Sequence, residues 1–332
     1  MRPGVAGHVS TMTATTTPAT MRRITQDAPG GPEVLRVEEA PVPEPIPTEI
    51  RVRVTAAGVN PVDTKVRAGG AGLGDDMTAP PFTVGWDVAG VVDAVGMGVT
   101  RFAVGDRVFG MPWFPRQAGG YGEYVTAPSR HFAPIPDGVD DVTAAALPLA
   151  GLTAWQILVD TADVQRDQRV LIHAAGGGVG HLAVQIAKTR GAHVVGTASA
   201  GKHADLVALG LDEAIDHHTE EIAEATRDID VAVDLTEVNG PSSLAVLRRG
   251  GLVVCVPSGV PEGLAEQAEA EGKRVTDFLV EPDGVALTGI ARLIAEDVLT
   301  VRIAGTFPLE EAAAAHRELE KGSTAGKLVL TL

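Results

Sequence analysis

The feature that most constrains the fold of this chain is a predicted strand, a glycine cluster and a predicted helix in immediate succession at residues 170–188 (VLIHAAGGGVGHLAVQIAK). The spacing is Ala174-x-x-Gly177-x-x-Gly180, so alanine stands where the usual dinucleotide-binding fingerprint has its first glycine. Backbone N–H groups at such a helix start face an anion, and the missing Cβ atoms let a pyrophosphate approach closely. The alternative is a glycine-rich turn without a ligand. We predict that a dinucleotide contacts Ala175, Gly177, Gly178 and Val179.

Strands and helices alternate throughout the region around this segment. Further apolar strands are predicted at Val194–Ala198, Ile229–Leu235 and Leu252–Val256, with amphipathic helices between them. Continuous apolar strands between amphipathic helices indicate a parallel sheet that is covered on both faces. We therefore predict a doubly wound α/β domain at residues 143–300.

The chain before residue 143 has a different pattern. From Arg22 to about Asp140, short apolar runs alternate with polar residues, and Gly or Pro marks their ends. This spacing predicts a small β-barrel or sandwich at residues 21–142, to which two predicted strands in residues 301–332 would return. The Gly-rich, apolar-poor segment Ala68–Pro81 predicts a loop.

The first twenty residues (MRPGVAGHVSTMTATTTPAT) contain neither Asp nor Glu and lack the apolar core of a secretory signal. We predict that residues 1–20 are a disordered tail, or an upstream start with Met12 or Met21 beginning the domain. A transit peptide is the alternative, although arginine is sparse for one.

The charge and cysteine content argue against several classes of partner. The chain has 27 Lys+Arg against 43 Asp+Glu and a formal net charge of −16, which repels phosphate backbones and anionic lipid. Its single cysteine, Cys255, excludes an intrachain disulfide and a multi-cysteine zinc site. No apolar run approaches the roughly 18 residues of a membrane span. We expect a small-molecule partner, neither nucleic acid nor membrane, and a cytoplasmic location.

The end of the second strand of the α/β region carries information on the cofactor. An NAD site would place Asp or Glu there to bond the ribose hydroxyls. The segment Thr197–His203 (TASAGKH) has no acid but offers the hydroxyl of Ser199 and the cation of Lys202. This favours a 2′-phosphate and hence NADP, unless Lys202 is only a solvated residue in the first turn of the next helix.

Several further motifs occur in one order along the chain: Ala56–Asp63 (AAGVNPVD), Gly85–Val92 (GWDVAGVV), Val104–Val108 (VGDRV), Gly119–Tyr124 (GGYGEY), Leu147–Ala154 (LPLAGLTA) and Gly326–Val329 (GKLV). From about Met21 to its C-terminus the chain resembles the medium-chain dehydrogenase/reductase superfamily, in its zinc-free quinone oxidoreductase (zeta-crystallin-like) branch. The resemblance implies a GroES-like, β-rich catalytic domain made from both ends of the chain. An NADP-binding Rossmann domain with a parallel sheet would be inserted between them, and we expect a homodimer.

Zinc can be examined position by position. Where the superfamily's zinc alcohol dehydrogenases carry two cysteines and a histidine as ligands, this chain has Asn60, Trp86 and Leu149. A tetrahedral zinc site needs nitrogen or sulfur ligands, and an amide, an indole and an isobutyl group do not provide them. We therefore predict no catalytic metal.

The resemblance also implies roles for single residues. Asn60 would hydrogen-bond near the nicotinamide ribose or the acceptor oxygen, and Thr153 would lie beside the nicotinamide; the alternatives are a turn-forming Asn and a helix-packing Thr. Trp86 and Tyr121 would line an apolar acceptor pocket, or else pack in the core. We assign Asn60, Thr153 and Tyr121 to catalysis, as groups that position the reactants.

Four more cofactor contacts are expected at the edge of the same crevice. Val256 and Ser258 follow a parallel strand, where cofactors usually bind. His217 stands where relatives place a Tyr near the adenine or the 2′-phosphate, with a solvated turn as the alternative. Lys327 recurs in the family and would reach the active site, or would form a surface salt bridge.

These features predict an NADPH-dependent, zinc-independent oxidoreductase that transfers hydride to a quinone or an α,β-unsaturated carbonyl compound. Two alternatives stay open. One is a pathway-specific enoyl reductase acting on a polyketide-like intermediate, and the other is a non-catalytic NADPH-binding structural protein.

Overall fold

The computed structural model describes residues 17–70, 81–256 and 259–332, and it contains two large β-sheets with helices packed around them. The strands are β1 (Thr20–Thr25), β2 (Arg36–Pro41), β3 (Glu49–Val59), β4 (Asp87–Val95), β5 (Arg107–Gly110), β6 (Tyr124–Pro128), β7 (Phe132–Pro134), β8 (Arg169–Ile172), β9 (His193–Ala198), β10 (Glu213–Asp216), β11 (Ile229–Asp234), β12 (Leu247–Cys255), β13 (Arg274–Asp277), β14 (Ile303–Pro308) and β15 (Lys327–Thr331). The helices are α1 (Pro61–Ala68), α2 (Asp141–Ala145), α3 (Pro148–Trp155), α4 (Gly180–Thr189), α5 (His203–Ala208), α6 (Ile222–Ala225), α7 (Gly240–Val246), α8 (Leu264–Ala270), α9 (Gly284–Ala295) and α10 (Ala312–Glu320).

The C-terminal half of the chain forms a six-stranded parallel sheet. Its strand order is β10-β9-β8-β11-β12-β13, so the first strand in sequence, β8, lies in the middle. Apolar residues of β8 such as Val170 and Leu171 are fully buried because helices cover both faces. Strand order reverses between β8 and β11, and ligands of doubly wound sheets bind at this point, beyond the carboxyl ends of the strands. The predicted doubly wound domain is confirmed.

The other large sheet is built from both ends of the chain. Its order is β14-β15-β3-β4-β5-β7, and β6 pairs with β3. The C-terminal strand β15 runs antiparallel to β3, with Leu328 opposite Val59 and Val329 opposite Gly58. This register places Lys327, the first residue of β15, beside Asn60, the residue that follows β3. The expected return of the C-terminal strands to the first sheet is confirmed, whereas the exact domain limits stay a prediction.

Helix α1 interrupts the region predicted as β-strands. Asn60 and Asp63 form a reciprocal capping box at its start, Pro61 occupies its first position, and Gly69 ends it in the left-handed conformation at φ 84°. Eight residues show too little apolar periodicity to be recognised, so end signals define this helix.

Helix α3 lies between the two sheets and contacts α4 and α9. Its residues from Pro148 to Ala154 are buried, which fixes Leu149 and Thr153 at the junction of the sheets. No helix in residues 17–70, 81–256 and 259–332 is both long enough and apolar enough to cross a bilayer.

Two expectations fall largely outside the described residues. Residues 1–16 of the predicted tail and residues 71–80 of the predicted loop Ala68–Pro81 lie there. At the end of the predicted tail, the Thr17 hydroxyl donates to Asp93 over 3.1 Å, and β1 begins at Thr20.

Candidate active site

Two neighbouring cavities, of about 280 Å³ and about 270 Å³, lie between the two sheets. Both are lined by Pro61, Leu149, Val179 and Leu235, so they form one cleft. We call them the glycine-turn cavity and the apolar cavity. The glycine-turn cavity is also lined by Asn60, Thr64, Gly177, Gly178, Gly180, Glu320, Thr324 and Lys327. The apolar cavity is also lined by Val62, Lys65, Phe114, Thr153, Thr236, Glu237, Val256, Phe278, Leu279 and Val280.

The glycine-rich turn between β8 and α4 is built around close backbone contacts. A Cβ atom on Gly180 would lie 2.3 Å from the carbonyl oxygen of Ala174, so only glycine fits where the helix starts. In the part of the chain that the structure describes, the N–H groups of Gly178, Val179 and Gly180 donate to no protein acceptor. All three residues line the glycine-turn cavity. Unpaired N–H groups at a helix start attract an anion.

Not every residue predicted in this turn is available to a ligand. The N–H of Ala175 donates to the carbonyl oxygen of Thr197 over 2.9 Å, and Ala175 is fully buried. We therefore correct the prediction for Ala175, which packs the turn against β9. The N–H of Gly177 donates to the carbonyl oxygen of Ala174 over 2.9 Å, although Gly177 itself lines the cavity.

The residues after β9 and β10 lie at the same edge of the parallel sheet as this turn. Ser199 is partly exposed beyond the end of β9. Lys202 lies against the turn, because a Cβ on Gly176 would come within 2.7 Å of its Cδ, and its Nζ is 3.4 Å from the carbonyl oxygen of Thr324. His217 is exposed beyond the end of β10, the strand paired with β9. Hydroxyl, cation and free N–H groups along one edge fit a dinucleotide with several phosphates.

Asn60 is held from three directions at the floor of the glycine-turn cavity. Its Nδ2 donates to Oδ2 of Asp87 over 2.8 Å, and its backbone N–H donates to Oδ2 of Asp63 over 2.7 Å. Its Oδ1 accepts from Nζ of Lys327. Asn60 is therefore a buried helix cap whose side chain has a single orientation, while its predicted contact with the nicotinamide or the acceptor stays a prediction.

Lys327 is a buried, positively charged residue that also lines the glycine-turn cavity. Only 3% of its side chain is exposed, and its Nζ also donates to the carbonyl oxygen of Val59 over 3.1 Å. The Oδ2 atom of Asp87 lies 3.5 Å from this Nζ. Burial lowers the pKa of Lys327 and raises the pKa of Asp87, and the attraction between the two charges opposes both shifts. The pair is a buried salt bridge, not the surface one considered as the alternative.

Tyr121 belongs to a chain of buried polar groups behind Asn60. Its hydroxyl lies 3.0 Å from Oδ2 of Asp63 and 3.2 Å from Nε2 of His316, and Nδ1 of His316 lies 3.2 Å from a guanidinium nitrogen of Arg67. Arginine only donates, so Nδ1 of His316 accepts and its Nε2 carries the hydrogen. That hydrogen points to the Tyr121 oxygen, and the phenol donates to Asp63. The hydrogen bonds therefore run in one direction, from Arg67 to Asp63.

Burial shifts the acid–base behaviour of this chain of groups. It raises the pKa of Asp63 to about 7, a rise that the hydrogen bond from the Asn60 N–H opposes and the charge of Asp87 increases. Burial and the nearby Arg67 charge lower the pKa of His316 to about 3, so the ring is neutral at neutral pH. The Oδ1 atom of Asp63 has no hydrogen-bond partner in the described chain.

The two aromatic residues predicted to line the acceptor pocket do not do so. Tyr121 is fully buried, and Trp86 is 2% exposed with its Nε1 donating to the carbonyl oxygen of Arg116 over 2.7 Å. Trp86 packs edge to face on Phe114, at a ring-centre distance of 5.4 Å, and Phe114 is the residue that lines the apolar cavity. The structure supports the alternative for both residues, which is packing in the core. Tyr121 positions Asp63 and does not touch the cleft.

Thr153 and Val256 do line the apolar cavity. The Thr153 hydroxyl donates to the carbonyl oxygen of Leu149 over 2.7 Å, which leaves its oxygen as an acceptor. Ser258 lies outside the described residues.

Sequence reasoning missed Asp63, Asp87 and His316. Asp63 and Asp87 stand inside quoted motifs, and the spacing of Asn60 and Asp63 is a capping-box signal.

The three residues at the superfamily's zinc-ligand positions either bond to other protein groups or have no ligand atom. The Asn60 amide bonds Asp87 and Lys327, the Trp86 indole bonds a backbone carbonyl, and Leu149 has no donor atom. Within the described ranges no three His, Cys, Asp or Glu residues form a group that could hold a metal ion. These residues do not fit a tetrahedral zinc ion.

Comparison with known proteins agrees with this architecture. Residues 46–137 match the family model for the alcohol dehydrogenase GroES-like domain, and residues 209–330 match the model for zinc-binding dehydrogenases. The chain is 36% identical to a 2-haloacrylate reductase from Burkholderia sp, over 91% of this chain and 96% of the relative. It is 34% identical to the quinone oxidoreductase of Lama guanicoe, over 94% of this chain and 98% of the relative.

A solved structure extends the similarity to three dimensions. The quinone oxidoreductase of Escherichia coli complexed with NADPH matches with a TM-score of 0.84 at 30% identity. The match covers 94% of this chain and 100% of that chain.

Proposed function

Because the chain belongs to the medium-chain dehydrogenase/reductase superfamily, in its zinc-independent quinone oxidoreductase branch, and is therefore an oxidoreductase, we propose that it transfers hydride from NADPH to a quinone or an α,β-unsaturated carbonyl compound. One observation carries the proposal. Gly178, Val179 and Gly180, whose N–H groups donate to no acceptor in the described chain, line a cavity that continues into an apolar cavity lined by Phe114 and Phe278. A phosphate-bearing cofactor and an apolar acceptor would thus meet at their junction.

The preference for NADPH is supported by the end of β9. No carboxylate stands there to bond the 2′-hydroxyl of NAD, and Ser199 and Lys202 offer a hydroxyl and a cation. The Lys202 side chain lies over Gly176, so its charge is next to the phosphate-binding turn. The E. coli protein of the same fold, whose structure is a complex with NADPH, supports the same choice.

The chain's own residues would orient the reactants and exclude water. NADPH, when bound, supplies the hydride. Asn60 and Lys327 line the glycine-turn cavity, where Asp87 and Val59 hold them in fixed orientations. The second hydrogen of the Asn60 amide has no protein acceptor in the described chain and could be donated to a reactant. The oxygen of Thr153 is an acceptor in the wall of the apolar cavity, and Phe114 and Phe278 give that cavity apolar walls that would exclude water from a bound acceptor.

The absence of a zinc-type ligand set restricts the acceptor. A Lewis acid stabilises the alkoxide in alcohol oxidation, and the residues at the zinc positions supply none. A quinone or an enone spreads the developing negative charge over its own conjugated system. The Asn60 amide, at the junction of the two cavities, would then supply a hydrogen bond to that charge.

A panel of acceptors tests the proposal. Purified protein is given NADPH or NADH with quinones, enones and aldehydes, and loss of absorbance at the nicotinamide band is followed. We expect turnover of quinones or enones with NADPH and little with aldehydes. Turnover confined to one bulky enone would favour the pathway-specific enoyl reductase. NADPH binding without turnover of any acceptor would favour the structural protein and contradict the proposal.

A further inference from the structure

Two opposite charges stand in the wall of the apolar cavity. Lys65 on α1 and Glu237, in the turn after β11, form a salt bridge across the cleft. Among the described residues that line this cavity they are the only ionisable ones. Their side chains are 37% and 36% exposed, so the pair lies at the mouth of the cavity and is in contact with water.

The backbone on each side of the pair is fixed. Oδ1 of Asp234 accepts from the N–H and the hydroxyl of Thr236, over 2.8 Å and 2.6 Å, and its Oδ2 accepts from the N–H of Asn239 over 2.9 Å. Glu237 lies inside this turn with a φ of 74°, a conformation that non-glycine residues rarely adopt. Lys65 belongs to α1, which the capping box at Asn60 anchors. The pair is thus presented by two constrained backbones.

Such a pair changes what the cavity can accept. Lys65 alone would attract an anionic acceptor, because field lines concentrate in a cleft with low-dielectric walls. Glu237 cancels this charge and itself repels an anion. The remaining wall, with Phe114, Phe278 and Val280, suits a neutral and apolar molecule.

We propose that the Lys65–Glu237 pair determines the charge class of the acceptor, so that this enzyme selects uncharged conjugated acceptors and rejects anionic ones. The inference rests on the proposed function. It predicts that removing either partner shifts the preference in a direction set by the charge left behind.

The test compares 1,4-naphthoquinone with its 2-sulfonate, which share one ring system and differ by one negative charge. The readout is the ratio of kcat/KM for the sulfonate to kcat/KM for the neutral quinone, with NADPH as the donor. Glu237→Gln should raise this ratio by about threefold to tenfold, and Lys65→Met should lower it by a similar factor. High salt should reduce both shifts, since both charges are in contact with water.

The charge-swapped double variant Lys65→Glu/Glu237→Lys restores a neutral pair and should return the ratio towards that of the unmodified enzyme. Arg292→Gln is the matched control, because Arg292 is exposed on α9 and lines neither cavity. If the salt bridge only stabilises the fold, each single variant will lower kcat/KM for the neutral quinone and for the sulfonate by the same factor. An unchanged ratio in both single variants would overturn the inference.

Direct binding separates this inference from the proposed function. The affinities of the two quinones for the unmodified protein and the variants can be measured by titration calorimetry without any turnover. Absence of turnover together with a charge-dependent shift in affinity would reject the proposed function and retain the role of the pair. Turnover of quinones with no shift in relative affinity in either variant would retain the proposed function and reject the role of the pair. Should one single variant fail to fold, the other gives the same test with the opposite sign.

Discussion

The hydroxyl of Tyr121 donates a 3.0 Å hydrogen bond to Oδ2 of Asp63, the carboxylate that also caps the backbone N–H of Asn60. Tyr121, which the sequence predicts in the acceptor pocket, thus lines neither cavity and contacts Asp63, which in turn bonds Asn60. Because Lys327 and Asp87 bind the other side of Asn60, the orientation of this one amide depends on residues from four separate parts of the chain.

Tyr121→Phe should therefore reduce stability more than catalysis. The substitution removes one of the two donors to Asp63 and leaves the Nε2 hydrogen of His316 without its acceptor. We expect the free energy of unfolding, measured in urea, to fall by about 1–3 kcal/mol. Turnover should fall less than about tenfold, in line with a small loss of positioning.

Tyr124→Phe is the control for this change, since the Tyr124 hydroxyl has no hydrogen-bond partner in the described chain. Complete loss of turnover in Tyr121→Phe, with folding and NADPH affinity intact, would contradict a minor positioning role and show that catalysis requires the hydroxyl.

How far the sequence predicts this structure depends on the range of each interaction. The six-stranded sheet and the turn before Gly180 follow from local signals, namely continuous apolar strands and glycines in a fixed spacing. The helix at Pro61–Ala68 has only end signals and was missed. The contacts of Tyr121 with Asp63 and His316 join residues 58 and 195 positions apart. No pattern within one element encodes such pairings, so they depend on the assembled fold.

Lys327→Met should destabilise the protein strongly, because Asp87 would lose its cation in a fully buried site. Breaking one side of a buried ion pair typically costs about 3–5 kcal/mol. Asp87→Asn in the same chain removes the uncompensated charge, so the double variant Lys327→Met/Asp87→Asn should recover part of the loss. Thermal and urea unfolding of the three variants check this. Additive losses would mean that the two charges do not interact.

The buried ring of His181 predicts a loss of stability in acid. Its Nε2 accepts from the N–H of Arg302 over 3.2 Å, so its Nδ1 carries the hydrogen that donates to the carbonyl oxygen of Gly177 over 2.9 Å. Burial lowers the pKa of His181 to about 4. The unfolded chain takes up a proton below about pH 6.5 and the folded chain does not. Stability is therefore lost as the pH falls from about 6.5 to about 4.

His181→Gln should make this slope shallower by about one proton, or about 1.4 kcal/mol per pH unit, in urea titrations at pH 4.5–6.5. His173 and His316, which are also buried, keep the rest of the slope. His218→Gln, which changes an exposed ring, is the control variant. An unaltered slope in His181→Gln would contradict the assignment.

Metal removal should have no effect on activity. Asn60, Trp86 and Leu149 at the zinc positions lack the nitrogen and sulfur ligands of a tetrahedral site. Dialysis against a strong chelator should leave turnover and the melting temperature unchanged. Elemental analysis should find no stoichiometric zinc, and about one tightly held zinc per chain would refute this prediction.

The choice between NADPH and NADH should depend on Lys202. The 2′-phosphate carries nearly two negative charges, and Lys202 places a cation against the glycine-rich turn while Ser199 follows the neighbouring strand β9. A charge-assisted contact is typically worth about 1.5–3 kcal/mol, or roughly 10- to 150-fold in affinity. Lys202→Ala should weaken NADPH binding by that factor in calorimetric titration and leave NADH nearly unaffected. Arg292→Ala removes an exposed cation that lines neither cavity and should change neither affinity. Ser199→Asp should reverse the preference, because its carboxylate repels the phosphate and can bond the free 2′-hydroxyl of NADH. Equal affinity of the unmodified protein for the two cofactors would show that Ser199 and Lys202 do not form the phosphate site.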